Sequence, residues 1–175
     1  MITEQLKTEH EAILLMLDIL ANVCQRIRKD GKVSQDDLID IVEFIKIFAD
    51  KCHHGKEEDL LFPAMEESGV PKEGGPIEVM LTEHQEGRGY VKGMAEAGKD
   101  LLKFAENAEN YISLLTQHIG KENDVLYMIA DMHLTEEKQK HLLEKFEKVE
   151  EEKIGPGKHE EFHKLLERLK NAYLK

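Results

Sequence analysis

The sequence predicts an all-α protein, an up-down-up-down four-helix bundle followed by two additional C-terminal helices. Apolar residues recur at steps of three and four through four long segments, which is the period of an amphipathic helix. Only four of the 175 residues are proline, and short turn-forming segments separate the periodic ones. A motif that occurs in both the second and the fourth segment indicates that the bundle consists of two similar helical hairpins.

The first hairpin is predicted from two periodic segments joined at Asp30-Gly31-Lys32. The first helix covers residues 2–28, with apolar residues on one face. Ser34 fits the N-cap of the second helix, and two aspartates follow in its first turn, where negative charge favours a helix. That helix is expected over about 35–68. A kink or an early end is expected near Pro63, because proline donates no backbone hydrogen bond.

The second hairpin follows a linker at residues 68–75, which contains three glycines and a proline. Pro76 suits the first turn of the third helix, where its missing N–H has no cost. A turn is expected around Gly98-Lys99-Asp100. The fourth helix should then extend to about residue 131.

The remaining residues predict two shorter helices. Thr135, followed by two glutamates, begins the fifth helix, and Gly155-Pro156-Gly157 separates it from a sixth over about 158–173. We therefore divide the chain into a bundle, 1–131, and a C-terminal helical extension, 132–175, packed on the bundle.

Composition excludes several classes of protein. The net charge of −12 argues against a nucleic-acid partner. No run of about 18 apolar residues is present, so a membrane span is not expected. The opening residues Met1-Ile2-Thr3-Glu4 do not resemble a signal peptide, and we expect a cytoplasmic protein. Cys24 and Cys52 are then expected to be reduced thiols.

The duplicated motif carries the chemistry. His53-His54-Gly55-Lys56-Glu57-Glu58-Asp59-Leu60-Leu61-Phe62 returns after 65 residues as His118-Ile119-Gly120-Lys121-Glu122-Asn123-Asp124-Val125-Leu126-Tyr127, and six of the ten aligned positions are identical. Each copy has a His four residues before a Glu, which places both on one face of a helix. His54 has Ile119 as its counterpart, so the repeat favours His53 as the functional histidine.

A second repeat supplies two more histidines. Thr8-Glu9-His10 near the start of the first helix matches Thr82-Glu83-His84 near the start of the third. In an up-down-up-down bundle these starts lie at the same end as the ends of the second and fourth helices. At 1.5 Å per residue, the two early histidines then lie about 12 Å from that end and the two glutamates about 14–17 Å. His53 and His118 lie one turn deeper, so all six side chains reach a common level.

The sequence therefore predicts one buried site with ligands from all four helices. Four imidazoles and two carboxylates that can each bridge suit two metal ions. Nitrogen and oxygen donors without thiolates favour iron, with manganese or zinc possible. The surplus positive charge invites a bridging oxide or hydroxide, so we expect two non-haem iron ions, oxo- or hydroxo-bridged. The predicted metal ligands are His10, His53, Glu57, His84, His118 and Glu122.

These motifs resemble the hemerythrin-like family, also called HHE cation-binding domains, over about residues 1–131. His53-x-x-x-Glu57 with Leu61-Phe62-Pro63, Glu83-His84, and His118-x-x-x-Glu122 are closest to the di-iron proteins of iron–sulfur-cluster repair. The resemblance implies a hemerythrin-like bundle with a di-iron centre on the six residues named above. Oxygen-carrying members have a second His one turn after the helix-3 His, and this sequence has Arg88 there.

The resemblance implies a function in binding small oxidants. We expect the protein to bind, sense or reduce O₂, peroxide or nitric oxide, so its partner is a small diatomic ligand or peroxide. Four histidines rather than five argue against dedicated oxygen transport. Iron storage or buffering and iron–sulfur-cluster repair are the alternatives. Whether the protein is an enzyme, such as a peroxide or nitric oxide reductase, stays open.

Neighbouring side chains are interpreted as supporting groups. His54 and Glu58 lie one position round the helix from the predicted ligands and are expected to flank them. Glu9 and Glu83 are expected to face solvent, with an oxygen ligand or a proton route as the alternative for Glu83. Core packing is the favoured interpretation for Tyr127, and lining the site is the alternative.

His159 and His163 lie four residues apart on the last helix. That spacing can bind a metal. A solvent-exposed helix face is the favoured interpretation of the pair.

Overall fold

The computed structural model describes residues Met1–Lys175 as six helices without a strand, and 86% of the chain is helical. The predicted all-α bundle with additional C-terminal helices is confirmed. The helices are α1 (Ile2–Lys29), α2 (35–67), α3 (Pro76–Glu96), α4 (101–133), α5 (Glu136–Lys153) and α6 (Pro156–Tyr173). None of them is long and apolar enough to span a membrane.

Three helix starts have the side-chain caps that their sequences favour. The Ser34 hydroxyl accepts a hydrogen bond from the Asp37 N–H at the start of α2. Asp100 caps α4 and Thr135 caps α5 in the same way, each three residues before its donor. Each cap satisfies a backbone donor that has no partner within the helix. The bounds predicted for these three starts therefore agree with the structure.

Both motif-bearing helices contain a widened, π-helical turn at the ligand glutamate. In α2 this turn is Glu57–Leu61, and the Phe62 N–H donates to the carbonyl of Glu57. In α4 it is Glu122–Leu126, and the Tyr127 N–H donates to the carbonyl of Glu122. Such turns occur mostly as local bulges at functional sites. The sequence duplication thus extends to the backbone itself.

The widened turn also explains why α2 does not end at Pro63. The last α-helical segment, Phe62–Glu67, begins directly after this turn, and Pro63 lies in its first turn. A proline there removes no regular hydrogen bond. The helix therefore continues to Glu67, and the early end considered from the sequence is not observed.

A second π-helical segment, Ile45–His54, precedes the motif in α2 only. The corresponding part of α4 is regular α-helix, within Leu101–Lys121. A π-helix turns less per residue than an α-helix, because its hydrogen bonds reach five residues back rather than four. Two consecutive residues can then lie closer to the same face. His53 and His54, at the end of this segment, are both buried.

The candidate ligands form a polar layer between two hydrophobic clusters. The larger cluster contains 28 buried residues, including Ile13, Phe44 and Leu115. The smaller one contains 14 buried residues, including Leu6, Phe62 and Tyr127. The positions of the ligands are fixed from both sides, because well-packed apolar side chains leave little freedom for displacement.

The two C-terminal helices contribute to both clusters. Helix α5 supplies Leu142 and Phe146 to the smaller cluster. Helix α6 supplies four residues to the larger one, and the hydroxyl of its Tyr173 donates to Asp37 of α2 over 2.7 Å. The extension therefore packs along the bundle on both sides of the ligand layer. A domain boundary at 131/132 stays a prediction.

Candidate metal centre

The structure brings all six predicted ligands together at the middle of the bundle. One histidine comes from each of α1 to α4, and the two glutamates come from α2 and α4. None of the six is more than 2% exposed. Six buried, polar side chains in one layer need partners that offset the loss of hydration. The six are His10, His53, Glu57, His84, His118 and Glu122.

The donor atoms divide into two groups, each with its atoms within 4.8 Å of one another. One group is His10, His53 and Glu122, and the other is His54, Glu57, His84 and His118. Either group could hold a metal ion. His54, which the sequence places beside the site, thus joins the second group as a fifth imidazole.

Each of the five imidazoles has its Nδ1 engaged by an oxygen atom. His10 Nδ1 lies 2.7 Å from Asn123 Oδ1, His53 Nδ1 2.9 Å from Glu9 Oε1, His54 Nδ1 3.3 Å from Asp50 Oδ1, His84 Nδ1 2.9 Å from Glu58 Oε2, and His118 Nδ1 3.0 Å from Glu83 Oε1. A hydrogen bond from Nδ1 leaves Nε2 free as a lone-pair donor. The same arrangement orients metal-binding histidines in general.

These oxygen partners repeat with the motif. Glu9 and Glu83, each directly before an early histidine, bind the late histidine of their own hairpin. Glu58 and Asn123, each directly after a ligand glutamate, bind the early histidine of the other hairpin. The expectation that Glu9 and Glu83 face solvent is therefore wrong. The sequence could have indicated these supporting residues, because each of them is adjacent to a predicted ligand in both copies of the motif.

Three buried donor atoms at the centre have no hydrogen-bond partner. They are His53 Nε2, Glu57 Oε1 and Glu122 Oε1. Glu57 Oε1 lies 3.5 Å from His53 Nε2 and 3.6 Å from His84 Nε2. Unpaired buried polar atoms are rare and costly in folded proteins. The residues present therefore fit a pair of cations between them.

The two glutamates have opposite pKa shifts. Burial raises the pKa of Glu57 well above its ordinary value, and the neighbouring Glu122 raises it further. Burial also acts to raise the pKa of Glu122, but the imidazoles of His118 and His10 outweigh it and hold that pKa well below its usual range. Without metal, a proton that the pair shares therefore resides on Glu57 rather than on Glu122. Two cations would allow both carboxylates to ionise.

Burial also keeps two of the imidazoles neutral. It lowers the pKa of His53 to about 4. It lowers the pKa of His54 well below the ordinary value, and the neighbouring His84 adds to this effect. A neutral imidazole is the form that binds a metal. At neutral pH these two rings are therefore ready to act as ligands.

Arg88 lies at the outer edge of the site rather than among the donors. Its guanidinium is 2.9 Å from Asp50 Oδ1 and 2.5 Å from Glu58 Oε2. These two carboxylates bind the Nδ1 atoms of His54 and His84. Arg88 therefore holds the two carboxylates that orient the imidazoles of His54 and His84. It occupies the position where oxygen-carrying hemerythrins have a second histidine on the third helix. A cavity of about 280 Å³ beside Arg88 is lined by His54 and His84.

Tyr127 packs in the smaller hydrophobic cluster, as the favoured interpretation expects, and it also lines the site, which was the alternative. Its hydroxyl donates to Glu57 Oε2 over 3.0 Å and lies 3.2 Å from His10 Nε2. Burial raises the pKa of the phenol well above its ordinary value, and the carboxylates of Glu122 and Glu57 add to this. The phenol therefore keeps its proton. In the repeat Tyr127 aligns with Phe62, and this difference between the copies is the signal that marks it.

The lysine of each motif copy binds the glutamate that supports a histidine. Lys56 Nζ lies 2.6 Å from Glu9 Oε2, and Lys121 Nζ lies 2.7 Å from Glu83 Oε2. Lys56 is 0% exposed, whereas 48% of the Lys121 side chain is exposed. Burial alone would lower the pKa of Lys56, but Glu9 more than offsets it. Lys56 therefore remains charged.

The remaining candidates do not form a metal centre. His163 Nε2 lies 2.9 Å from His159 Nε2 on α6, but no third ligand atom completes a group around this pair. Cys24 and Cys52 are free and buried. Burial raises the pKa of each thiol to about 12, so neither is a reactive thiolate.

Comparison with known proteins identifies the family. The family model described as "Hemerythrin HHE cation binding domain" matches residues 1–130, which include every donor of both groups. No curated protein and no solved structure matches the chain significantly. The six motif residues, the two donor groups and the family match agree, and the chain belongs to the hemerythrin HHE cation-binding family.

Proposed function

We propose that the protein binds two non-haem iron ions and uses them to bind, sense or reduce a small oxidant. The observation that carries this proposal is the set of unpaired donor atoms on His53, Glu57 and Glu122 at the centre of the bundle. A buried layer without metal would leave these atoms unsatisfied, at a cost of about 1–3 kcal/mol for each.

The donor set favours iron. Five imidazole nitrogens and two carboxylates, with no thiolate, suit iron, and manganese or zinc are the competing choices. Glu122 Oε2 lies 2.9 Å from His10 Nε2, and its Oε1 lies 3.0 Å from His118 Nε2. Glu122 therefore faces both donor groups and is placed to bridge them. Glu57 lies between His53 and His84 and supports the same role.

His54 raises the number of imidazole ligands to five. The group with His54, His84 and His118 then has three imidazoles, and the group with His10 and His53 has two. The chain has Arg88 where oxygen-carrying members have a fifth histidine on the third helix, but His54 of α2 supplies a fifth imidazole instead. Reversible oxygen binding is therefore compatible with the donor set. The small ligand is expected at the group with two imidazoles, because that group would supply three protein donors to a metal ion and the other group four. Iron there would supply electrons and a vacant position for O₂, peroxide or nitric oxide.

Tyr127 lies where it could contact a small ligand at this group. Its hydroxyl lies beside His10, within the group that has two imidazoles, and it keeps its proton. We expect the phenol to donate its single O–H to the small ligand in place of Glu57. The burial of the whole layer excludes bulk water, which strengthens each of these polar contacts.

Metal analysis with an optical spectrum tests the proposal. Protein produced with iron and purified without oxygen should contain about two iron ions per chain, and admission of air should produce a charge-transfer band. Fewer than about 1.5 metals per chain would contradict a two-metal site. If the band disappears when oxygen is removed, the site binds oxygen reversibly. If the band remains after oxygen is removed, and the protein consumes oxygen continuously together with an added reductant, the protein is a reductase.

Two variants separate the roles of the residues. His133→Asn changes an exposed histidine at the end of α4 and should leave the iron content unchanged. Tyr127→Phe, which copies Phe62 of the other motif, should retain both irons but shift the band and weaken ligand binding by about tenfold, the value of one buried hydrogen bond. Loss of iron in Tyr127→Phe would instead show that the phenol is itself a ligand.

A further inference from the structure

The two lysine–glutamate–histidine chains are equivalent in sequence but not in their surroundings. Lys121, Glu83 and His118 form one chain, which ends at the protein surface. Lys56, Glu9 and His53 form the other, which lies beneath α5. Lys56 has no exposed surface at all. The difference is therefore made by the C-terminal extension.

Glu150 of α5 forms an ion pair with Lys56 on the outer side of the buried lysine–glutamate–histidine chain. Its Oε1 lies 2.8 Å from Lys56 Nζ and 3.4 Å from Gln5 Nε2. One turn earlier, the ring of Phe146 has its centroid 5.4 Å from the same ammonium, within the range of a cation–π interaction. Lys56 is thus enclosed by Glu9 on the metal side and by α5 on the outer side.

Burial of Lys56 is not needed to keep a glutamate on its histidine. Lys121 binds Glu83 just as closely while half of its side chain faces water. A fully buried ammonium loses its hydration and depends on good ionic partners. With Glu9 already directed to His53, Glu150 is the second carboxylate that satisfies Lys56. The extension thus adds a buried charge network to one half of the site.

We propose that Glu150 is a positioning residue of the metal centre, acting through Lys56 and Glu9 on the ring of His53. The inference rests on the proposed function, since it assigns a role toward the same metal pair. Glu150 lies outside residues 1–130, the part of the chain that the family model covers. It makes the two metal positions different: the His10–His53 position depends on α5, and the His84–His118 position does not.

Chelator-induced metal release from the loaded full-length protein tests this role. In Glu150→Gln, Lys56 loses one ionic partner while the side-chain shape is kept. We expect one of the two metal ions to be released about tenfold faster or more, as for other changes to the groups that support a metal-binding histidine. The second metal ion should be released at the wild-type rate. Glu150→Asp, which keeps the charge, should restore part of the slow release.

Glu147→Gln is the matched control. Glu147 lies on the same helix, three residues before Glu150, and both residues line one surface cavity. It forms none of the ion pairs made by Glu150, so its release kinetics should equal those of the wild type. The free energy of unfolding of each metal-free variant, measured with urea, separates loss of general stability from loss of metal positioning.

The outcomes are distinct. Faster release of one metal ion only, with Glu147→Gln unchanged, supports the inference. Wild-type release from Glu150→Gln overturns it, and so does equal acceleration of both metal ions with a matching loss of stability, which would make Glu150 only an anchor for α5. A wild-type protein that binds fewer than two metal ions would instead overturn the proposed function, and this inference with it.

Discussion

The two hairpins supply nearly the same donors but place them in different environments. In both halves a lysine binds a glutamate, and that glutamate binds the Nδ1 of a late histidine. Three differences lie outside this shared pattern. The first is that Lys56 is buried under α5 whereas Lys121 faces water. The second is that the ring of Tyr127 stacks on His10, whereas the ring of its counterpart Phe62 stacks on His84.

The third difference is that a polar cluster at the edge of the site in one half corresponds to apolar residues in the other half. Asp50, His54 and Arg88 are linked by hydrogen bonds at the edge of the site. Their counterparts in the repeat are Leu115, Ile119 and Leu14, which belong to or pack against the larger hydrophobic cluster. A duplicated ligand set can therefore give two unequal metal positions, because the supporting residues have diverged while the glutamates and the predicted histidines have not.

Removal of either ligand glutamate should have the largest effect. Glu57→Ala and Glu122→Ala each remove a carboxylate that faces both donor groups, so metal affinity should fall by more than about a hundredfold. Iron content after desalting measures this loss. Retention of one tightly bound metal ion in either variant would show that this glutamate does not serve both donor groups. Glu66→Ala, an exposed change on the same helix as Glu57, is the matched control.

Loss of the motif lysines should affect stability unequally. Lys56→Met leaves Glu9 buried without its cation, and the metal-free protein should lose about 3–5 kcal/mol of its free energy of unfolding. Lys121→Met removes a half-exposed ion pair and should cost about 0–1 kcal/mol. Urea denaturation of both variants, monitored by circular dichroism, makes the comparison. Equal losses would mean that α5 does not distinguish the two halves.

An exchange at His54 tests the polar cluster. His54→Ile copies Ile119 from the other half, keeps a buried apolar side chain and removes one imidazole. Metal affinity at one position should fall by about tenfold or more. The reverse change, Ile119→His, should not create a sixth imidazole ligand, because Leu115 occupies the position where Asp50 would support Nδ1. Calorimetric metal titration distinguishes these results, and unchanged affinity in His54→Ile would exclude His54 as a ligand.

The sequence predicts more of the fold than of the site's surroundings. Helix periodicity and caps such as Ser34 depend on local contacts, so all six helices can be predicted within a few residues. The six donors follow from spacing, because i and i+4 share a face. Their meeting in one layer follows from the common level that the six side chains reach in the bundle.

His54 could not be assigned from spacing alone. A regular α-helix turns it away from the ligand face, and only the π-helical segment Ile45–His54 brings it in. No residue type specifies such a segment, since tertiary packing decides where a helix widens. The role of Glu150 was equally inaccessible, because α5 is a largely charged helix in which many glutamates look alike. Contacts between distant parts of the chain determine both features.

The smallest expected effect concerns the proton shared by the two glutamates. Burial, with Glu122 nearby, raises the pKa of Glu57, so below that pKa a proton competes with metal at this carboxylate. Metal affinity should therefore rise with pH until the raised pKa is passed and then level off. Below that pKa, metal binding should release the proton held by Glu57. Calorimetric titration in two buffers of different ionisation enthalpy measures the number of protons released.

Glutamine at each position shows which glutamate carries the proton. Glu57→Gln has no carboxyl proton to lose, so its residual metal binding should release about one proton fewer than the wild type. In Glu122→Gln the charge that helps to raise the pKa of Glu57 is gone, so that pKa should fall, and release of this proton should begin only at a lower pH than in the wild type. The two variants differ at lower pH, where Glu57 is protonated again in Glu122→Gln only. Equal proton release by the wild type and Glu57→Gln at every pH would place the shared proton elsewhere in the site.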